Sequence, residues 1–463
     1  MTIPFTAADV VAWTGGKQVR GAANAVFTSV SIDTRSIGPG ALFVAIRGPR
    51  HDAHAFLGDA LAAGAGGLLV AADAALPDGA APAIAADDTT RALGALAAGH
   101  REGFAGPVVA ITGSNGKTTT KEMCAAILGT LGPCLATKGN LNNEYGLPLT
   151  LLERDAAHRH VVVELGMNHR GEIARLAAIA KPTVGVVTNV GTAHIEYLGS
   201  RDEIAREKGD LIAALGRDGV AVLNADDARA RAQGDRTRAR QLLFGLADDA
   251  DVRADRVTSL GERGYAFVLV ASGERQAVHV AGLGESTVAN ALAAAAAAIA
   301  AGCSLADAAT GLAAYRPPSG RMEPVALPRN IIVINDTYNA NPQSMEVALR
   351  SLASLRGTSR GVAVLGDMGE LGEKADEAHR AAGRLVAELG LDLLFALGPR
   401  AELTARGALE AGMAAERVHV GGDHDELGES LRRVLRGNDW VLVKGSRSMR
   451  MERVVEALAR EDA

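Results

Sequence analysis

Short apolar runs, each ended by a glycine or a polar cluster, recur along the chain, a spacing that predicts buried strands of an α/β protein. The runs lie at Ala41–Ile46, entered through a Pro39-Gly40 turn, then at Gly67–Val70, Val108–Ile111, His160–Glu164 and Val184–Thr188. Leu223-Asn224 reads as a further strand end. Ile331–Ile334, Gly361–Leu365, Leu393–Leu397 and Trp440–Val443 complete the series. Between them the pattern predicts a helix ending near Gly64, one opening at Lys117, one carrying Lys208, a charged helix over Arg229–Gln241, and an alanine-rich helix opened by Gly282–Asn290. Pro317-Pro318-Ser319-Gly320 reads as a hinge. Three units are expected: 1–106, then 107–316 with strands and helices alternating throughout, then 317–463 with a Rossmann-like alternation.

The strongest chemical signal follows the run Val108–Ile111. Gly113-Ser114-Asn115-Gly116-Lys117-Thr118-Thr119 is a strand–turn–helix junction whose backbone N–H groups and helix N-terminus converge on one point, which makes an anion site. Lys117 supplies a point charge for phosphates, and the Thr118 hydroxyl is placed to ligate Mg²⁺. Other candidates also sit at strand ends, where open parallel sheets bind ligands. Glu164 ends one strand and faces the phosphate turn as a candidate Mg²⁺ ligand. His194 follows another in Asn189–Glu196, and on its own it reads equally as an ordinary loop histidine.

Several features keep a plain alternative. Thr137-Lys138-Gly139-Asn140-Leu141-Asn142-Asn143 reads as a ligand-facing amide loop or as a turn-rich connector. Asp33 and Arg35 read as a paired loop, His51 and His54 as solvated histidines as readily as a metal pair, and Asn290 as a helix-cap residue. By composition alone Lys208, among charges on a helix, belongs on the solvated surface. Gly366, Gly369 and Gly372 do not form a dinucleotide fingerprint.

Bulk properties narrow the class. The chain has 463 residues, 48% hydrophobic and 22% charged, with a net charge of −6, so no basic face for nucleic acid is expected. Its three cysteines, Cys124, Cys134 and Cys303, have neither metal spacing nor the number for a disulfide framework, which suits a reducing cytoplasm. No signal peptide pattern is present, and the longest apolar run, Ala291–Ala301, is too short for membrane insertion.

Taken together, Gly113–Thr120, Glu164, Asn189–His194, Lys208, Asn290, Arg321 and Asp336–Pro342 resemble the Mur ligases, ATP-dependent amide-forming enzymes of peptidoglycan precursor synthesis. Within that family, Thr137–Asn143, Tyr338-Asn339-Ala340-Asn341-Pro342, Leu365–Gly372 and Val443–Arg447 are most similar to the branch that adds D-alanyl-D-alanine to UDP-MurNAc-tripeptide. The Asp-Asn-Pro-Arg string of the diaminopimelate-adding branch is absent from the sequence.

The resemblance implies a uridine-nucleotide domain, a central P-loop-type ATPase domain with a mainly parallel sheet, and a Rossmann-like domain that closes on ATP. Gly113 to Thr119 would hold its phosphates. Thr118 and Glu164 would ligate Mg²⁺, and His194 a second Mg²⁺ together with Lys208, which the family carries carbamylated. Asn290 would contact adenine. Arg321, Asp336, Tyr338 and Asn339 would bring nucleotide contacts from the last domain. Ser31, Asp33, Thr34 and Arg35 would form the uridine loop. Thr137, Asn140, Asn142 and Asn143 would face the nucleotide-peptide, and Lys444 and Ser446 the amine. One departure is Asn335, where an aspartate is expected before Asp336. A cytoplasmic monomer is the expected state. Two rivals are a folylpolyglutamate synthase-like ligase, which would lack the uridine loop, and a nucleotide-dependent switch or assembly ATPase, which would need no amine acceptor.

Overall fold

The computed structural model describes residues 2–79 and 81–460. The predicted runs become three separate sheets, each faced by helices, and the chain is an α/β protein.

The first sheet has five strands in the order Lys17–Arg20, Ala83–Ala86, Gly67–Ala71, Ala41–Val44, Ser29–Ser31. The last four run parallel, and their apolar residues are buried where they face the helices. Ser29–Ser31 forms the edge and packs against the helix Gly146–Leu152 that follows the asparagine loop. The long helix Thr89–Glu102 packs on the first unit through Ala7–Thr14 and on the central unit through Gly146–Leu152 and Glu172–Ala180. Arg101 fastens that seam by donating to the carbonyls of Ala180, Lys181 and Phe104.

The second sheet has nine strands. Its parallel part comprises Cys134–Ala136, His160–Glu164, Val108–Thr112, Val184–Val187, Val220–Asn224 and Arg240–Gly245, and the four inner strands from His160–Glu164 to Val220–Asn224 carry valine-rich runs buried on both faces. Val108–Thr112 lies between His160–Glu164 and Val184–Val187, so the phosphate turn, Glu164 and the His194 loop leave the sheet from three adjacent strands. The alternation does not persist, however. Val252–Ser259, Tyr265–Ala271 and Glu274–Val280 add an antiparallel meander. Nor is Arg229–Gln241 one helix: it divides into Ala228–Arg231, a 3₁₀ turn at Ala232–Arg236, and a strand beginning at Arg240. The strand is claimed by pairing with Val220–Asn224, a tertiary demand that charge pattern does not reveal.

The third sheet has six strands, five of them parallel, with Ile331–Asp336 beside Trp440–Lys444. Asp336 and Lys444 are thereby register partners at adjacent strand ends.

The three thiols are free, and burial pushes Cys134 up to about 12 and Cys303 to about 11, which keeps both protonated and inert. No helix among the described residues is long and apolar enough to cross a membrane. His54 is fastened locally: its Nδ1 lies 2.5 Å from Asp52 and its Nε2 accepts the Ala71 N–H at 2.9 Å, so it forms no metal pair with His51.

Candidate active site

A cleft of about 1340 Å³ opens between the central and third units, with the helix Thr89–Glu102 of the first unit on its wall. Of the residues singled out from sequence for nucleotide, metal or amine, only Gly113 and Lys208 stand behind its wall; Thr137 likewise lies behind the asparagine loop. The Ser31–Arg35 loop does not line it.

The phosphate turn is held before any ligand arrives. Gly116 has a φ of +79°, and a Cβ there would fall 2.2 Å from the Asn290 amide oxygen, so only glycine admits both the conformation and Asn290. The Asn115 N–H donates to Asn189 Oδ1 at 2.9 Å, and the Asn115 carbonyl accepts from Thr188 Oγ1 at 2.7 Å. Lys117 opens the helix Lys117–Gly129 and its Nζ donates to the Gly113 carbonyl at 2.8 Å. Desolvation pushes its pKa below the usual lysine value, with the charge of Glu164 pulling the other way.

Around Thr118 the two units meet. The Thr118 hydroxyl donates to Glu164 Oε2 at 2.8 Å and accepts from Arg321 Nη2 at 2.8 Å. Glu164 Oε1 accepts from Asn142 Nδ2 at 2.8 Å, and the Glu164 N–H donates to Thr137 Oγ1 at 3.0 Å. Buried Lys121 grips the Thr137 carbonyl in turn at 2.5 Å. The Thr118 hydroxyl and the Glu164 carboxylate thus form a buried pair of hard oxygen donors, a fit for Mg²⁺ whose remaining ligands are phosphate and water. Among the described residues no cluster of three or more His, Cys, Asp or Glu side chains forms a ready-made metal cage.

Arg321 reaches this point from just beyond the Pro317–Gly320 segment. Its guanidinium lies 3.7 Å over the Tyr338 ring, and its Nε is buried without a hydrogen-bond partner. Asn341 Nδ2 donates to Asn115 Oδ1 at 3.0 Å, and Asn115 Nδ2 donates to Gln343 Oε1 at 3.1 Å. The third unit is therefore closed onto the phosphate turn. Sequence alone gives Asn341 and Gln343 no separate role, because Asn341 also caps the helix Pro342–Leu355 through the Ser344 N–H, which fully accounts for it locally.

Asp336 and Lys444 are committed to each other at 2.6 Å, and Lys444 also donates to the Asn339 carbonyl at 2.9 Å. Lys444 is almost fully buried, so its charge orders the Asp336–Asn339 corner. Breaking such a pair costs about 3–5 kcal/mol. Ser446 lines the cleft and its hydroxyl shares a hydrogen bond with Ser448 at 3.2 Å. The unexpected Asn335 faces away: it donates to Glu323 at 2.9 Å and accepts from the Thr337 hydroxyl at 2.7 Å. An aspartate there would set a second carboxylate against Glu323.

His194 projects from a left-handed residue with φ +64°, and its Nδ1 lies 2.9 Å from Glu370 Oε2. That contact holds the Glu370 carboxyl below its usual value. Lys208 is not on the surface that charge pattern predicts. It is buried in the helix Arg201–Ala213 behind Met167, whose sulfur, 3.9 Å away, is its hydrogen-bonding neighbour. Desolvation, then the charge of Lys117, pushes its pKa well below the ordinary lysine value. The adjacent Glu207 is occupied, accepting the Gly171 and Ile173 N–H groups at the start of Glu172–Ala180.

Ser31, Asp33, Thr34 and Arg35 form a self-contained turn. Ser31 Oγ accepts the Asp33 N–H at 3.1 Å, and Arg35 Nη2 donates to Asp33 at 2.6 Å. That pairing holds the Asp33 carboxyl at about 2.

Comparison with known proteins agrees with this geometry. Residues 111–298 match the Mur ligase middle domain, and residues 320–447 match the Mur ligase, glutamate ligase domain. The chain is 37% identical over 444 residues to the UDP-N-acetylmuramoyl-tripeptide–D-alanyl-D-alanine ligase of Escherichia coli, covering 94% of each. Among solved structures it is similar to MurF from Acinetobacter baumannii, with 34% identity and a TM-score of 0.89, covering 99% of this chain and 100% of that one. It is also similar to MurF ligase from Thermotoga maritima in complex with ADP, with 28% identity and a TM-score of 0.82, covering 93% and 97% of the two chains. This chain belongs to the Mur ligase family.

Proposed function

We propose that this chain is an ATP-dependent ligase that joins D-alanyl-D-alanine to UDP-MurNAc-tripeptide, giving UDP-MurNAc-pentapeptide, ADP and phosphate in the cytoplasm. The observation that carries this reading is the clasp of Arg321 and Asn341 on the phosphate turn, inside a cleft to which all three units contribute. A carboxylate substrate, a triphosphate and an amine can meet there away from bulk water. In this division of labour, residues 1–106 hold the uridine nucleotide, 107–316 hold ATP, and 317–463 close the site and present the amine; the chain acts as a monomer.

The terminal carboxylate of the tripeptide attacks the γ-phosphorus, the bond to the bridging oxygen breaks, and ADP leaves an acyl phosphate. The amine of D-alanyl-D-alanine then attacks the carbonyl carbon, loses a proton, and phosphate departs from the tetrahedral intermediate. Lys117 and the N–H groups of the turn offset the charge of the triphosphate, and Arg321 adds a second cation when the third unit closes. Asn290 faces the base, and Asp336 with Tyr338 and Asn339 forms the nucleotide corner of the closing unit. Closure excludes water, which would hydrolyse an acyl phosphate. Thr118 and Glu164 would hold one Mg²⁺ and His194 a second, which when bound neutralise phosphate charge and orient the leaving group.

Carbamylation of Lys208 belongs to the same proposal. Burial and the charge of Lys117 shift this amine toward its neutral form, with Met167 sulfur as its hydrogen-bonding neighbour, and the neutral amine is the form that adds carbon dioxide. The product is an anion able to serve the second metal. Exposure to isotopically labelled bicarbonate should yield a carbamate NMR signal in the wild type that is absent from Lys208→Met.

The decisive test is phosphate release with ATP and Mg²⁺, adding the nucleotide-tripeptide and D-alanyl-D-alanine singly and together. Release that requires both, with the pentapeptide product found by mass spectrometry, is expected. Release with neither points to a switch-type ATPase, and release with a folate-type or other acceptor points to another amide ligase.

A further inference from the structure

The His194–Glu370 contact joins two loops from different units, and each is built at some conformational expense. His194 has φ +64° and Glu370 has φ +58°, the left-handed region that side-chain-bearing residues seldom adopt. A second close approach lies beside it: a Cβ on Gly372, whose φ is +52°, would stand 3.4 Å from Glu196 Cγ. Thus the segment Gly369–Gly372 of the third unit seats against His194–Glu196 of the central unit at two points.

The Glu370 loop is itself anchored. The Met368 N–H donates to His379 Nε2 at 3.0 Å, and the other ring nitrogen of His379 lies 2.6 Å from the Ala375 carbonyl. The Asp367 carbonyl accepts from the Ser446 N–H at 2.8 Å, and Asp367 Oδ1 accepts from the Arg400 N–H at 3.2 Å. Buried His379 therefore carries its proton on Nδ1, and the loop that presents Glu370 is tied to the body of the third unit through Asp367 and Met368 just before it.

From this geometry we propose that Glu370 is a positioning residue for His194. Its carboxylate accepts a hydrogen bond from the Nδ1–H, which keeps the proton on Nδ1, leaves a free lone pair on Nε2 and sets the ring plane on the cleft wall. A histidine that ligates a metal through one nitrogen is commonly oriented by a carboxylate on the other. Here the orienting carboxylate arrives from a different unit, so His194 is fully prepared as a ligand only once the third unit has closed. The open enzyme would bind its second divalent ion weakly, and closure, metal capture and the arrival of Arg321 at Thr118 would become one event. This inference rests on the reading of His194 as a ligand of the second metal.

The test is binding of Mn²⁺, followed by the electron paramagnetic resonance of the free ion, with a non-hydrolysable ATP analogue and the nucleotide-tripeptide present. Full-length wild type, Glu370→Ala, Glu370→Gln and His194→Ala are compared. The Glu370 side chain is 46% exposed, so neither substitution there empties a core. Glu370→Ala is expected to weaken the second Mn²⁺ by about 10–100-fold while leaving the first unchanged. Glu370→Gln, which keeps an oxygen acceptor for the Nδ1 proton, is expected to restore most of that loss, and kcat should follow the same order with KM for ATP little altered. Wild-type binding of both ions by Glu370→Ala, with the second lost in His194→Ala, overturns the positioning role alone. Unchanged binding in His194→Ala overturns the metal-ligand reading beneath it, and the positioning role with it. Equal weakening in the Ala and Gln variants would assign the effect to charge and overturn the orienting role.

Discussion

The phosphate turn and the Ser31–Arg35 turn are both polar loops at the ends of parallel strands, yet they are built in opposite ways. The first is gripped from outside: Asn189 and Thr188 hold Asn115, Glu164 holds Thr118, and Asn341, Gln343 and Arg321 close over it from another sheet. The second is closed only on itself, through Ser31 and the Asp33–Arg35 pair, and remains exposed. A site that must stabilise charge developing during reaction benefits from donors fixed in advance and shielded from water. A site that only retains the distant end of a substrate needs no such framework and can be ordered by the ligand. Substitutions should therefore act on kcat in the first turn and on KM in the second.

The largest expected effect is that of Lys117→Ala. Removing the cation nearest the phosphates should lower kcat by about 10²–10³-fold or more. Calorimetry should still show the uridine substrate binding as in the wild type. A comparable loss of uridine binding would mean that the two turns are not separable. Next comes Arg321→Ala, which removes both the Thr118 contact and the cation over Tyr338. Phosphate release should fall by about 10²-fold, again with uridine-substrate affinity nearly intact. Equal loss of chemistry and uridine affinity would refute closure as the role of Arg321.

The contrast also explains what can be read from the sequence. The positions of Gly113–Thr118 and Glu164 are legible because these residues are consecutive or stand at a strand end, where a parallel sheet has to place them. The three-sheet division is legible from apolar runs and the Pro317–Gly320 break. By contrast, the Asn115–Asn341 and His194–Glu370 contacts depend on how two sheets dock, information that no local pattern carries. Lys208 shows the limit most clearly: its neighbours in sequence are charged, while its neighbours in space are Met167 and the buried face of a helix. The strand from Arg240 and the meander Val252–Val280 escape a sequence reading for a related reason, since pairing partners override local charge pattern.

On the other side of the comparison, Arg35→Ala should raise KM for the nucleotide-tripeptide by about tenfold, the size of a lost charge-assisted contact. It should leave kcat at saturation unchanged. A fall in kcat of similar size would show that the exposed turn takes part in closure, and would weaken the division between gripping and retaining turns.

The smallest effect concerns the acid limb of stability. Arg35 holds the Asp33 carboxyl at about 2, below its ordinary value of 3.8, so the folded turn binds this proton less readily than the unfolded chain does. A carboxylate with a depressed folded value contributes stability that is complete above the unfolded value, and that is lost as pH falls through the folded one. The contribution of the pair should therefore be constant above about pH 5 and fade between 3.8 and 2. Because the pair is exposed and screened, Asp33→Asn should move the thermal midpoint at neutral pH by no more than about a degree, and the difference from wild type should vanish near pH 2. Added salt should shrink it further. A larger, salt-insensitive difference would mean that the turn is anchored to the protein by more than its own ion pair, and the self-contained character assigned to it would fail.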